Sequence, residues 1–122
     1  MKLVSFNKDI KQIDNSGRIV GGVSSEGRSI IRLMMTGVLG QLVELNLKEG
    51  FYRPNHNHPK EESIGYVIKG HLKMGIGDYE YDLYAGDSWC HPDGIIHWTR
   101  AIEDTSAVEI HCPPRPLDHY YK

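Results

Sequence analysis

Cysteine is scarce in this chain: two in 122 residues, Cys90 and Cys112. Two thiols at this length do not make a disulfide framework, and free thiols point to a cytoplasmic setting. Net charge is small as well. The 14 Lys+Arg against 16 Asp+Glu leave −2, and no basic stripe stands out, which argues against a nucleic-acid partner. A small anionic ligand stays open, because it needs only one or two local cations. No apolar run approaches membrane-spanning length, and the opening MKLVSFNKDIKQID lacks the apolar stretch of a signal peptide, so no membrane association is expected. Heptads, a glycine-rich phosphate loop, internal repeats and linkers are absent too.

What is present is punctuation. The 13 glycines and 6 prolines fall between short apolar runs, the pattern of an all-β domain. The length allows one domain with a real core, residues 1–122, and is too short for two. Residues 1–30 resist assignment, since Gly17, Gly21, Gly22 and Gly27 interrupt any helix. Strands are expected at 29–35, 41–47, 63–69, 71–76, 87–91 and 106–112. In 41–47, Val43, Leu45 and Leu47 alternate with Glu44 and Asn46. The stretch GIGDYEYDL (75–83) reads as a hairpin turning at Gly77-Asp78. The prolines of 113–122 exclude a central strand, and this tail is expected to lie extended over a barrel spanning about 30–112. Many short strands at regular spacing suggest a sandwich or barrel.

Two blocks carry the chemistry. In the first, Gly50 is followed after five residues by His56, then His58, Glu61, Glu62 and Ser63, and Gly70 closes it. In the second, Gly86 is followed after five residues by Pro92, then Gly94 and His97. About 15 residues separate them, enough for a hairpin and a return strand. Strand neighbours i and i+2 face one side, so His56 and His58 can share a barrel mouth. A third imidazole, His97, would complete a facial set for zinc, iron, nickel or copper, with a carboxylate extending the choice to manganese. His71, His91 and His119 read as ordinary surface or core histidines. Glu61 reads as part of a solvated turn, Cys90 and Cys112 as inert small hydrophobes, and Trp98 as core, interface or pocket wall.

This layout resembles the two-motif pattern of the cupin superfamily, G-x5-H-x-H-x(3,4)-E-x6-G and G-x5-P-x-G-x2-H-x3-N, over residues 40–115. The resemblance implies an all-β double-stranded β-helix, or jelly-roll barrel, in a single domain. It also implies a homodimer and a divalent metal (Zn, Ni, Mn or Fe) on three His and one Glu or Gln. Two departures stand out. Counting forward from His58 puts Glu62 in the acidic slot, and counting back from Gly70 puts Ser63 there. Ala101 replaces the terminal Asn of the second motif, a residue that is not a ligand.

The ending VEIHCPPRPLDHYY (108–121) resembles the D-T-F-S-P-P-R-E-D ending of single-domain pectin-degradation cupins. Those proteins linearise the unsaturated monouronates released by pectate and alginate lyases. The resemblance places Glu109 at their catalytic Asp, His111 at their pocket Phe and Arg115 at their substrate-binding Arg. It implies an enzyme in which metal polarises substrate oxygens, Glu109 shuttles a proton, Arg115 grips a carboxylate and His111 is a second acid/base group. Two other readings remain: a cupin dioxygenase using iron or nickel, and a non-enzymatic cupin that binds a sugar or another small ligand. A serine in the fourth slot favours the last.

Overall fold

The structure is a computed structural model that describes residues 2–120, except for the side chain of residue 118. Residues 2–28 include a short 3-10 turn, Asn7–Asp9, and three two-residue strands. These are β1 (Ile13–Asp14), β2 (Ile19–Val20) and β3 (Val23–Ser24). The barrel strands follow as β4 (Ser29–Thr36), β5 (Gln41–Leu47), β6 (Tyr52–His56), β7 (Glu62–Lys69), β8 (His71–Ile76) and β9 (Tyr79–Tyr84). β10 (Ser88–His91), β11 (His97–Ala101) and β12 (Thr105–Cys112) complete it. A six-stranded sheet, β1-β4-β5-β12-β7-β10, faces a four-stranded sheet, β6-β11-β8-β9, and the β2–β3 ribbon stands beside them. This all-β jelly roll is the fold expected from the two blocks.

Two elements differ from expectation. β6 and β11 carry the metal-type histidines but show no clean alternation, so neither stands out as a full strand in the sequence. β6 contains Pro54, which cannot donate to a ladder. The β8–β9 hairpin does turn at Gly77-Asp78, with Ile76 opposite Tyr79. Positive φ falls on Gly77 (61°) and not on Asp78, the signature of a turn with glycine at its first central position.

The interior is graded from floor to mouth. At the floor lie Leu47, Phe51, Val67, Leu72, Met74, Ala101 and Ala107. Along β12 the inward positions are Thr105, Ala107, Glu109 and His111, with exposed or half-buried residues between them. Register carries this gradient across neighbours: Ala107 pairs with Leu45 and Val67, Glu109 with Val43 and Gly65, His111 with Gln41 and Ser63. Period-two alternation therefore delivers Glu109 and His111 to the tiers above Ala107.

Gly65 is required by a close approach. The Trp89 ring, 5% exposed, lies directly over it, and a Cβ there would overlap the ring atoms. Gly65→Ala is therefore expected to destabilise the fold by about 1–3 kcal/mol through overpacking. Urea unfolding of the two proteins measures the difference, and an unchanged midpoint would contradict this packing.

Candidate metal centre

β6 and β11 are neighbours, and His97 pairs directly with His56. This one register joins the two sequence blocks. The His56 and His97 rings lie 4.2 Å apart, and the His58 ring stands 4.8 Å from the first and 5.6 Å from the second. One ligand nitrogen from each imidazole falls within 4.8 Å of the others. His58, however, lies beyond the end of β6. His56 and His58 still fall on the inner side with Asn57 exposed between them, as the i, i+2 alternation predicts. The strand ladder stops at His56, and the chain turns only at Pro59–Lys60, after His58.

Hydrogen bonding orients two of the rings unambiguously. His56 Nδ1 lies 2.8 Å from the Pro54 carbonyl and His97 Nδ1 lies 3.0 Å from the Ile95 carbonyl. A carbonyl only accepts, so each Nδ1 must carry the proton, and each Nε2 presents a lone pair. His58 Nδ1 lies 3.4 Å from Glu61 Oε2, a longer contact without the directed hydrogen bond of the other two rings. Acceptors behind Nδ1 fix the tautomer that metal-binding histidines need. Three imidazoles with ligand nitrogens this close fit a divalent transition metal. Glu61, read in the sequence as a solvated turn, thus orients a ligand.

The two candidates for the fourth position separate cleanly. Ser63 shares its inward face with Gly65 and Val67, whereas Ile64, Tyr66 and Ile68 on the other face are each 48% exposed. Glu62 lies with the second set. It is exposed, and its carboxylate accepts a hydrogen bond from Cys90 Sγ at 3.8 Å. As a metal ligand Glu62 is on the wrong face of β7. Ser63 occupies the slot, but its short hydroxyl is spent on His91 Nδ1 at 3.2 Å.

The centre lines a cavity of about 120 Å³ together with Ser63, His91, Glu109, His111, Arg115, Arg53 and His119. His91 and His119 were read as ordinary histidines. His91 is in fact 6% exposed and stacks on His97 at 3.8 Å. The alternation of Trp89 and His91 on a short strand was the available signal. Trp98 is not a cavity residue; it covers Gly75 and meets Tyr52 edge-on.

His111 Nε2 lies 2.7 Å from Glu109 Oε1. No directed hydrogen bond is formed by that nitrogen, so the contact is a close electrostatic one, charged on both sides only when His111 carries a proton. Burial alone would raise the Glu109 pKa. The charge of His111, helped by His91 and Arg115, outweighs it and holds the carboxyl at about 2. Arg115 sits at the mouth. Its Nε donates to Glu61 Oε1 at 2.8 Å. Its backbone is clamped by the buried Gln41, which donates to the Arg115 carbonyl and accepts from the Arg115 N–H, both at 3.2 Å. Gln41 also accepts from Tyr120 Oη at 2.6 Å. The tail thus passes through residues 113–116 and a 3-10 turn, Leu117–His119, to a buried Tyr120; residues 121 and 122 lie outside the described residues.

Comparison with known proteins agrees with this geometry. Residues 43–113 match the family described as Cupin domain. Germin-like protein subfamily 1 member 4 of Arabidopsis thaliana is 30% identical over 126 residues, covering 86% of this chain and 57% of its own length. Germin-like protein 5-1 of Oryza sativa subsp. japonica is 26% identical over 111 residues, covering 86% of this chain and 50% of its own. The chain spans about half the length of these curated relatives. An RmlC-like cupin from Shewanella frigidimarina superposes with a TM-score of 0.81 at 18% identity, covering 97% of this chain and 96% of that one. KdgF from Halomonas sp. superposes with a TM-score of 0.76 at 18% identity, covering 97% and 99%.

Burial, the largest cause, pulls His56 to a pKa of about 4, His58 to about 3 and His91 to about 4, from an ordinary 6.5. Neighbouring positive charge adds to this. Below pH 6.5 the unfolded chain binds protons that the folded one refuses, so stability falls as pH drops from 6.5 towards 4. Glu109 adds a second loss from its ordinary 4.5 down to about 2. The metal-free protein is therefore expected to lose melting temperature already between pH 6.5 and 4. A melting temperature flat until the carboxylate range would contradict the buried neutral imidazoles.

Proposed function

This chain belongs to the cupin family, and on that premise we propose that it is a metal-dependent isomerase of a small sugar-derived acid, with unsaturated uronates as the substrate. One observation carries the reading. The three-imidazole cluster and the Glu109–His111 pair line the same cavity. The resemblance of residues 108–121 to the ending of pectin-degradation cupins supplies the substrate class.

His56, His58 and His97 would hold the metal, which when bound supplies Lewis acidity towards substrate oxygens. Glu109, ionised above a pH of about 2, accepts the proton of the anomeric hydroxyl. The ring C–O bond then breaks, leaving an aldehyde and an enolate. His111 delivers a proton to the enolate carbon, giving a linear keto acid of unchanged composition. Arg115, at the mouth, gives the cavity a positive field that draws an anion inward. Ser63 in the fourth position favours a second reading, a cupin that binds a sugar acid without turning it over.

The outer face of the six-stranded sheet supports a homodimer. Ile64, Tyr66 and Ile68 are each 48% exposed there, and Ile110 is 42% exposed. Adjacent apolar side chains of this size on one face mark an interaction surface. Light scattering is expected to give twice the 13.9 kDa chain mass, and a monomer at micromolar concentration would overturn the dimer. No helix of the described residues is long and apolar enough to cross a membrane. Two free thiols, Cys90 and Cys112, support a reducing compartment.

Activity is tested by mixing the metal-loaded protein with unsaturated galacturonate and following loss of the enol-ether absorbance. Acceleration over buffer is expected, abolished by a chelator and restored by metal. Glu109→Gln is expected to lower kcat about 10²- to 10⁴-fold, the usual contribution of a proton-transfer group. Binding without acceleration would select the second reading.

A further inference from the structure

The cavity contains a second guanidinium that the sequence motifs do not mark. Arg53 lies on β6, three residues before His56. On a regular strand, residues three apart face opposite sides. Here both are buried, 8% exposed each, and both line the cavity. The ladder explains it. His97 pairs with His56, but Thr99 pairs with Arg53. Two steps on β11 match three on β6, so an extra residue bulges out of β6 at Pro54–Asn55. Bulges re-aim side chains next to functional sites. Pro54 has no N–H to lose from the ladder, so the bulge costs little there.

The Arg53 side chain is held in place. Its Nη1 donates to the Arg18 carbonyl at 3.0 Å and to the Val23 carbonyl at 3.3 Å. Its guanidinium carbon lies 5.9 Å from the centre of the Phe51 ring. Among the described residues, no carboxylate lies within ion-pair distance of it. The other two cavity charges of this kind are committed: Arg115 is paired with Glu61, and Glu109 with His111. Burial lowers the Arg53 pKa to about 10, which leaves it cationic at neutral pH. A buried cation whose hydrogen-bond acceptors among the described residues are two carbonyls, with a ring beside it, is costly unless a counter-charge arrives.

We propose that Arg53 is the carboxylate anchor of this cavity, gripping the acid group of the ligand below the imidazole cluster while Arg115 remains bound to Glu61 at the mouth. Arg53 stands one tier nearer the apolar floor than His56, because Phe51 lies two residues further along. The carboxylate enters first and lies deep, and the hydroxyl-bearing end stays level with the imidazoles. A cavity of about 120 Å³ is smaller than the roughly 150 Å³ that encloses one benzene ring. It takes the acid end of a sugar acid, and the remainder projects into the mouth. The planar fork of Arg53 suits a carboxylate oxygen pair better than a point charge does. This assignment rests on the acid-substrate reading above and narrows it to one contact.

The test is calorimetric binding of D-galacturonate and its neutral counterpart D-galactose to the zinc-loaded protein. Galacturonate is expected to bind and galactose to bind at least about tenfold more weakly. Arg53→Gln is expected to weaken galacturonate about 10- to 100-fold, the range for a hydrogen-bonded charge. Arg53→Lys, which keeps the charge without the fork, falls between. Arg115→Gln, which removes only the field at the mouth, is expected to weaken galacturonate less than Arg53→Gln does. Zinc content and melting temperature serve as controls. If Arg53→Gln does not fold, Arg53→Lys decides, and wild-type affinity in it overturns the anchor. Loss concentrated in Arg115→Gln likewise overturns it, while turnover of unsaturated galacturonate stays intact and the functional reading stands. If the wild type ignores galacturonate but binds pyruvate or oxalate in an Arg53-dependent way, the anchor stands and the uronate reading falls. No binding of any of these acids overturns both.

Discussion

Everything in the site depends on keeping imidazoles buried and uncharged with their Nε2 lone pairs turned inward. Desolvation favours the neutral ring, and an acceptor behind Nδ1 selects which nitrogen keeps the proton. For His56 and His97 that acceptor is a backbone carbonyl two residues earlier, Pro54 and Ile95. It is therefore built by the local chain path and needs no other side chain. For His58 it is Glu61, and Glu61 in turn holds Arg115 of the C-terminal tail. The ligand cluster and the tail are parts of one hydrogen-bonded assembly.

The barrel interior is divided by height. Apolar side chains seal the floor, and the tier containing Glu109 and Arg53 stands between them and the imidazoles. Glu109 in that tier keeps its charge because His111 is 2.7 Å away, with His91 and Arg115 adding to the effect. Positive groups outnumber carboxylates in the cavity, a charge balance that favours an anion entering it. This division arises from strand alternation on β5, β7, β10 and β12 in matched register, so a one-residue slip in any of them would turn the polar groups outward.

Much of the fold was legible because alternation, turn residues and motif glycines are local signals. The stretches 29–35, 41–47, 63–69, 71–76 and 106–112 each coincide with a strand to within a residue or two. β6 was not legible, since Pro54 and the bulge destroy its period. His91 and Glu61 were not legible as site residues either. His91 is brought to His97 from a strand of the other sheet, and Glu61 acts through a loop whose path no periodicity reports. Glu109 and His111 were singled out by resemblance and share one strand face by their i, i+2 spacing, but their 2.7 Å contact is seen only in the structure.

The sequence by itself determined the family, the strand-rich architecture and the three imidazoles, because a ligand set needs particular residue types at particular intervals and the chain displays both. Tertiary structure decided the rest. Glu62 and Ser63 are adjacent, so local rules leave the inward one open; Trp89, arriving from β10, fits only over Gly65, and that puts Ser63 inside. Arg53 enters the cavity only because β6 is paired with β11 through a bulge. Both outcomes are set by contacts between strands distant in the chain, where packing rather than local preference selects the face.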